Sequence, residues 1–173
     1  MMTPEQERNA SADALYDEAI RVWSDAFRAS TIPGYYERSY APPVVARLFK
    51  KSAEKGHIKS QYEYASILLT GVGVTKSESE AIKWFTKAAF SGDRKSQSSL
   101  GAAYEKGRGV QTSFTEAYAW YALAAHKGRE DFYWKEYYLK PLVSLRKDLL
   151  PLTLENADNR FRELLRITAA HLD

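Results

Sequence analysis

The chain has 173 residues, 45% of them apolar and 27% charged, which is the balance of a single globular domain rather than a disordered or membrane-spanning chain. It contains no cysteine and only three histidines, His57, His126 and His171, which excludes a disulfide framework, a cysteine nucleophile and a thiolate zinc site. The net charge of +3 hides a gradient, since residues 1–40 are net −3, residues 41–128 net +6, and residues 129–173 hold 8 charges of each sign.

Residues 1–40 read as an N-terminal capping helix and a linker. Thr3-Pro4-Glu5-Gln6 is a helix start, with Thr as cap and Pro at the first helical position. Ala12, Leu15, Tyr16, Ala19, Val22, Trp23, Ala26 and Phe27 continue an apolar stripe to a break at Ser30 to Gly34. Met1 to Arg8 has no basic start followed by an apolar core, so a cytoplasmic location is expected, or a periplasmic one if the sequence begins at a mature end. No apolar run approaches the roughly 18 residues needed to cross a bilayer, so no membrane partner is expected.

From residue 41 to 128 the sequence repeats with a period of 36. Gly56, Gly92 and Gly128 keep that spacing, as do the pairs Gly71/Gly107, Gly73/Gly109, Gln61/Gln97, Ala81/Ala117 and Trp84/Trp120. Each unit reads as a helical hairpin. In Glu80 to Phe90 the residues Ala81, Trp84, Phe85, Ala88 and Ala89 recur at helical spacing, making a first helix, A, that Gly92 ends. A second helix, B, follows from about Ser96 to Lys106 with Leu100, Ala103 and Tyr104 at core spacing. Ser77 with Glu80 and Ser113 with Glu116 predict reciprocal capping boxes at the restart of helix A. The third unit has only its helix A. In residues 129–173 an aromatic helix runs through Pro141 to about Leu150, and after Pro151 a last helix capped by Thr153 carries Ala157, Phe161, Leu164, Leu165, Thr168 and Leu172 on one face.

The units resemble the SEL-one-like repeats (SLR), relatives of the tetratricopeptide repeat. Ala81, Trp84, Phe85, Ala88, Ala89, Gly92, Asp93, Gln97, Leu100, Gly101, Tyr104, Gly107, Gly109 and Val110 follow that pattern closely, and the preceding unit keeps Phe49, Ala53, Gly56, His57, Gln61, Gly71, Gly73 and Val74. The resemblance covers residues 42–128 and implies an all-α, right-handed solenoid of two and a half repeats closed by capping helices at both ends. It implies a protein-interaction module, adaptor or scaffold, that binds without turnover, with an immunity or inhibitor protein that neutralises a toxin or enzyme as the first alternative. Helix A lines the concave surface in the tetratricopeptide relatives. By that likeness Arg47, Lys51, Lys83 and Lys87 face a partner protein with an acidic segment, although exposed lysines also serve solubility alone. One period on, the same two rows reach Ala119 and Leu123, so the stripe ends apolar. A second candidate contact is the aromatic run Phe132, Tyr133, Trp134, Tyr137 and Tyr138. At about 100° per residue the last four spread over more than one seam, so at least one is expected at the surface.

Catalysis has little support. Gly71-Val-Gly-Val-Thr-Lys-Ser77 lacks the Gly before Lys that a phosphate loop needs, and one period later the loop has no Lys at all. His57 and His126 read as turn and packing residues, and no metal or cofactor is expected. An enzyme with a site in the groove is the reading of another class, without a catalytic constellation behind it. Nucleic acid is disfavoured because the basic row does not continue into the third unit. The oligomeric state is open.

Overall fold

Glycine turns divide the chain into helices, and the computed structural model shows where each turn closes. It describes residues 2–29, 42–126 and 132–171, with side chains throughout except at 4, 8, 9, 27, 29 and 132–136. Among these residues there are nine helices and no strand: α1 (Pro4–Asn9), α2 (Ala12–Ala29), α3 (Pro43–Glu54), α4 (Ile58–Thr70), α5 (Glu78–Phe90), α6 (Arg94–Lys106), α7 (Phe114–His126), α8 (Phe132–Asp148) and α9 (Pro151–Ala170). The fold is the all-α solenoid of hairpins that the repeat implies, with α3/α4 and α5/α6 as A/B pairs and α7 as the unpaired third helix A.

The period is written in hydrogen bonds. Helix A ends at Gly56 and Gly92, with φ of 92° and 85° that a side chain would resist. The amides of His57 and Asp93 then reach back to the carbonyls of Ser52 and Ala88, at 3.2 and 3.0 Å. Gln61 and Gln97 recur for a physical reason. Their side-chain amides donate to the carbonyls of Ala53 and Ala89, at 3.4 and 3.0 Å, which also accept the amides of Gly56 and Gly92. The new helix B is capped by His57 Nδ1, which accepts from the Ser60 amide at 3.1 Å, and by Asp93 Oδ1, which accepts from the Ser96 amide at 2.7 Å. Helix B ends at left-handed Gly71 and Gly107.

The restart of helix A differs from expectation. Ser113 Oγ does accept the Glu116 amide, at 3.3 Å, but the Ser113 amide donates to the Tyr104 carbonyl, at 3.0 Å. Glu116 turns away to accept from Arg160 Nε at 2.7 Å, so the reciprocal half of that box is not made. The same loop closure, Ser77 amide to Leu68 carbonyl at 2.9 Å, occurs one period earlier.

The chain divides into two compact units, Met1–Trp84 and Phe85–Asp173. In the first, α2 packs on α3 and α3 on α4, around Leu15, Ala19, Trp23, Val45, Leu48, Phe49 and Leu68. The expected single N-terminal helix is two. Ala10 is extended, at φ −66° and ψ 147°, and Ser11 Oγ accepts the Ala14 amide, so α2 has its own start. In the second unit α7 is buried from Ala117 through Ala124 and packs against α6, α8 and α9. A helix apolar on every side has no solvent face to offer. The last helix starts at Pro151, not after Thr153, because proline is well suited to the first helical position and Thr153 falls inside the first turn. Its inner face is Ala157, Leu164 and Thr168, with Phe161 beside them. The predicted break at Ser30 to Gly34, the turn at Gly128 and Leu172 lie outside the described residues.

Candidate partner-binding surface

Helix A carries the basic row on α3 and α5 because positions four apart share one face. On α3 that row already has an occupant. Glu7 of α1 is 2% exposed, and its two carboxylate oxygens accept separately, Oε1 from Arg47 Nη2 at 2.9 Å and Oε2 from Lys51 Nζ at 2.7 Å. The hydrogen bond from Lys51, opposed by burial and assisted by the charge of Arg47, holds the Glu7 carboxyl below the usual carboxylate value. Both cations remain partly exposed, so the ion pair lies under a thin cover near the surface rather than deep in a core.

On α5, Lys83 is exposed and its Nζ donates to Glu80 Oε2 at 2.9 Å, while Lys87, one turn further on in the second unit, is also exposed. A surface ion pair of this kind is readily exchanged. The lattice continues into α7 only in sequence. Leu123 is 1% exposed and Ala119 fully buried, which takes Leu123 out of the candidate surface. The helices α6, α8 and α9 packed around α7 leave these positions no solvent.

The aromatic run separates in the same way. Tyr137 is 62% exposed and Tyr138 only 4%. Tyr138 is held by Arg94, whose guanidinium carbon lies 4.3 Å from the ring centre while its Nε donates to the Ala124 carbonyl at 2.7 Å. Tyr138 therefore leaves the surface set as a packing residue. The side chains of Phe132, Tyr133 and Trp134 lie outside the described residues. Three exposed apolar residues of the C-terminal pair, Val143, Leu150 and Leu152, were not anticipated, because they follow no lattice position and belong to no periodic stripe.

The histidines are structural in their contacts. His57 caps α4, meets the tilted ring of Tyr16 with ring centres 4.5 Å apart, and places Nε2 at 3.5 Å from Asp13. His126 meets the edge of Phe161 with ring centres 5.6 Å apart. Among the described residues no group of three His, Cys, Asp or Glu side chains is arranged to hold a metal ion. None of the described helices is long and apolar enough to cross a membrane.

Residues 46–57, 58–93 and 94–128 match the Sel1 repeat, in the register that the hydrogen bonds mark. The matched stretch, just under half of the chain, is similar to Sel1 repeats. Such repeats generally mediate protein–protein interaction. Among solved structures, a protective antigen present in uropathogenic Escherichia coli strains, with an SLR fold, is similar at a TM-score of 0.74 and 24% identity. That likeness takes in 95% of this chain but 32% of the antigen, so this chain spans about a third of the other's length. A Sel1 repeat protein from Oxalobacter formigenes is similar over 72% of this chain and 87% of its own, at a TM-score of 0.58 and 28% identity. No curated protein matches the sequence.

Proposed function

We propose that this chain is an adaptor that binds a partner protein through helix A, without turnover. The contact residues are Arg47 and Lys51 on α3 and Lys83 and Lys87 on α5, which take an acidic segment of the partner, with Tyr137 as a separate aromatic contact. The observation that carries this reading is Glu7. A carboxylate already sits across the cations four residues apart on α3, with one oxygen on each. The spacing of Lys83 and Lys87 on α5 repeats that arrangement one period on. Such charges set the rate and selectivity of encounter more than raw affinity, so binding should weaken steeply with salt.

The test compares partner capture by the native chain with capture by Lys83→Glu combined with Lys87→Glu, in parallel at low and high salt. Loss of one stoichiometric partner in the double variant, with helicity unchanged, is the expected result. Retention of that partner at equal affinity would remove helix A as the contact and direct attention to Tyr137. The same experiment separates adaptor from inhibitor, since an inhibitor abolishes its partner's own activity and an adaptor leaves it intact.

A further inference from the structure

The stripe that is to take a partner's carboxylate is, on α3, filled from within the chain. We propose that α1 is a displaceable occupant of the Arg47–Lys51 pair, and that an acidic segment of the partner reaches these two cations by taking the place of Glu7. This rests on the reading of helix A given above and adds to it a partner chemistry and a means of regulation.

Four features of α1 make it an occupant rather than part of the core. It has six residues, and a helix shorter than roughly 12 to 15 residues does not hold by itself in water. Of its described side chains Glu7 alone is buried, and what it buries is a carboxylate held by two partly exposed cations rather than an apolar anchor. It is joined to the body by extended Ala10, and α2 begins on its own cap at Ser11. The clamp on the far side of that joint, Ser52 Oγ donating to the Ala12 carbonyl at 2.6 Å, holds α2 to α3 whether or not α1 is in place. Among the described residues, the contacts that hold this end of the chain include the two of Glu7 and the hydrogen bond from the Met2 amide to Glu18 Oε1 at 3.2 Å.

Charge agrees with this arrangement. The first forty residues are net −3 and the repeat body net +6, so the acidic end is drawn to the basic helices that a partner would also seek. A tethered occupant competes at a high effective concentration. The partner therefore has to offer more than one carboxylate, and Lys83, which holds the row of Arg47 one period on, supplies the second contact.

The experiment uses the full chain with Glu7→Lys, and as probe a peptide of residues 1–10 with the native sequence. Hydrogen exchange of the Glu7 and Ala10 amides, which bond to Thr3 and Gln6 in the closed form, should quicken at least tenfold in the variant, while the Lys55 amide at the end of α3 keeps its protection. Glu7→Gln, which keeps shape and drops charge, should quicken the same two amides to a smaller degree. The released chain should bind the native peptide with shifts at the amides of Arg47 and Lys51, and bind the same peptide carrying Glu7→Gln at least tenfold more weakly. Unchanged exchange of α1 in both variants would overturn the displaceable occupant. Release of α1 without peptide binding would overturn the Arg47–Lys51 site, and would leave the Lys83/Lys87 test of partner binding to stand or fall separately.

Discussion

Gly101→Ala puts two well-known effects in opposition, and the structure decides between them. Gly101 lies inside α6, where replacing glycine by alanine ordinarily stabilises a helix by about 1 kcal/mol. A Cβ at this position, however, would stand 2.6, 2.7 and 2.9 Å from three atoms of the Tyr121 ring. Ordinary contact begins near 3.4 Å, so the ring has to retreat by about 0.8 Å. Tyr121 has little room for that. It is 3% exposed and its hydroxyl donates to Glu105 at 2.8 Å. Overpacking of a tight core costs about 1–3 kcal/mol, and straining the hydroxyl bond adds about 1 kcal/mol. The net expectation is a loss of about 2 kcal/mol, a fall in Tm of roughly 4–8 °C for a chain of this size. Urea and thermal unfolding followed by circular dichroism would measure it. Combined with Tyr121→Ala, the same glycine substitution should change sign and stabilise by about 1 kcal/mol, because only the helical preference then remains. A Gly101→Ala chain as stable as the native one, with Tyr121 in place, would refute the steric argument.

His57 should make stability fall with acid. Burial, the largest influence, lowers its pKa against the opposing pull of Asp13, so its stabilising contribution is full above the usual histidine value and is lost as pH falls through the lowered one. Protonation at Nδ1 would also remove the acceptor that caps α4; His57→Asp, the cap used by α6, should abolish the step in a plot of Tm against pH, and a step that survives would assign it to another group. The adjacent tyrosines should behave oppositely. Tyr138→Ala should lower Tm by emptying the place beside Arg94, whereas Tyr137→Ala should leave Tm within error and, if Tyr137 anchors the partner, weaken binding by about 2 kcal/mol or more. Calorimetric titration with the captured partner and a thermal melt of each variant distinguish the two.

Legibility followed range. The hairpins were readable because helix A and helix B are built from contacts within one period: a glycine turn, a glutamine side chain on a carbonyl of the last turn, a cap at the next start. The Thr3-Pro4 start and the apolar face of α9 were readable for the same reason. The break at Ala10 was not, since no Gly or Pro stands between Pro4 and Ala29 to mark it. The second half of the Ser113 cap was also lost to a distant residue, because Arg160 offers Glu116 a charge while a backbone amide offers only a dipole.

The sequence alone determined the period, the helical class and the chemistry of the helix A rows, since all of these depend on spacing along one helix. Which members of a row meet solvent was decided only in three dimensions. Lys87 and Leu123 hold the same lattice position, yet one is exposed and the other enclosed among the helices packed around α7. Glu7 carried a signal in the acidic first forty residues, but its seat across Arg47 and Lys51 depends on where the chain returns 40 positions later. Periodicity specifies a face, and only the path of the remaining chain specifies what covers it.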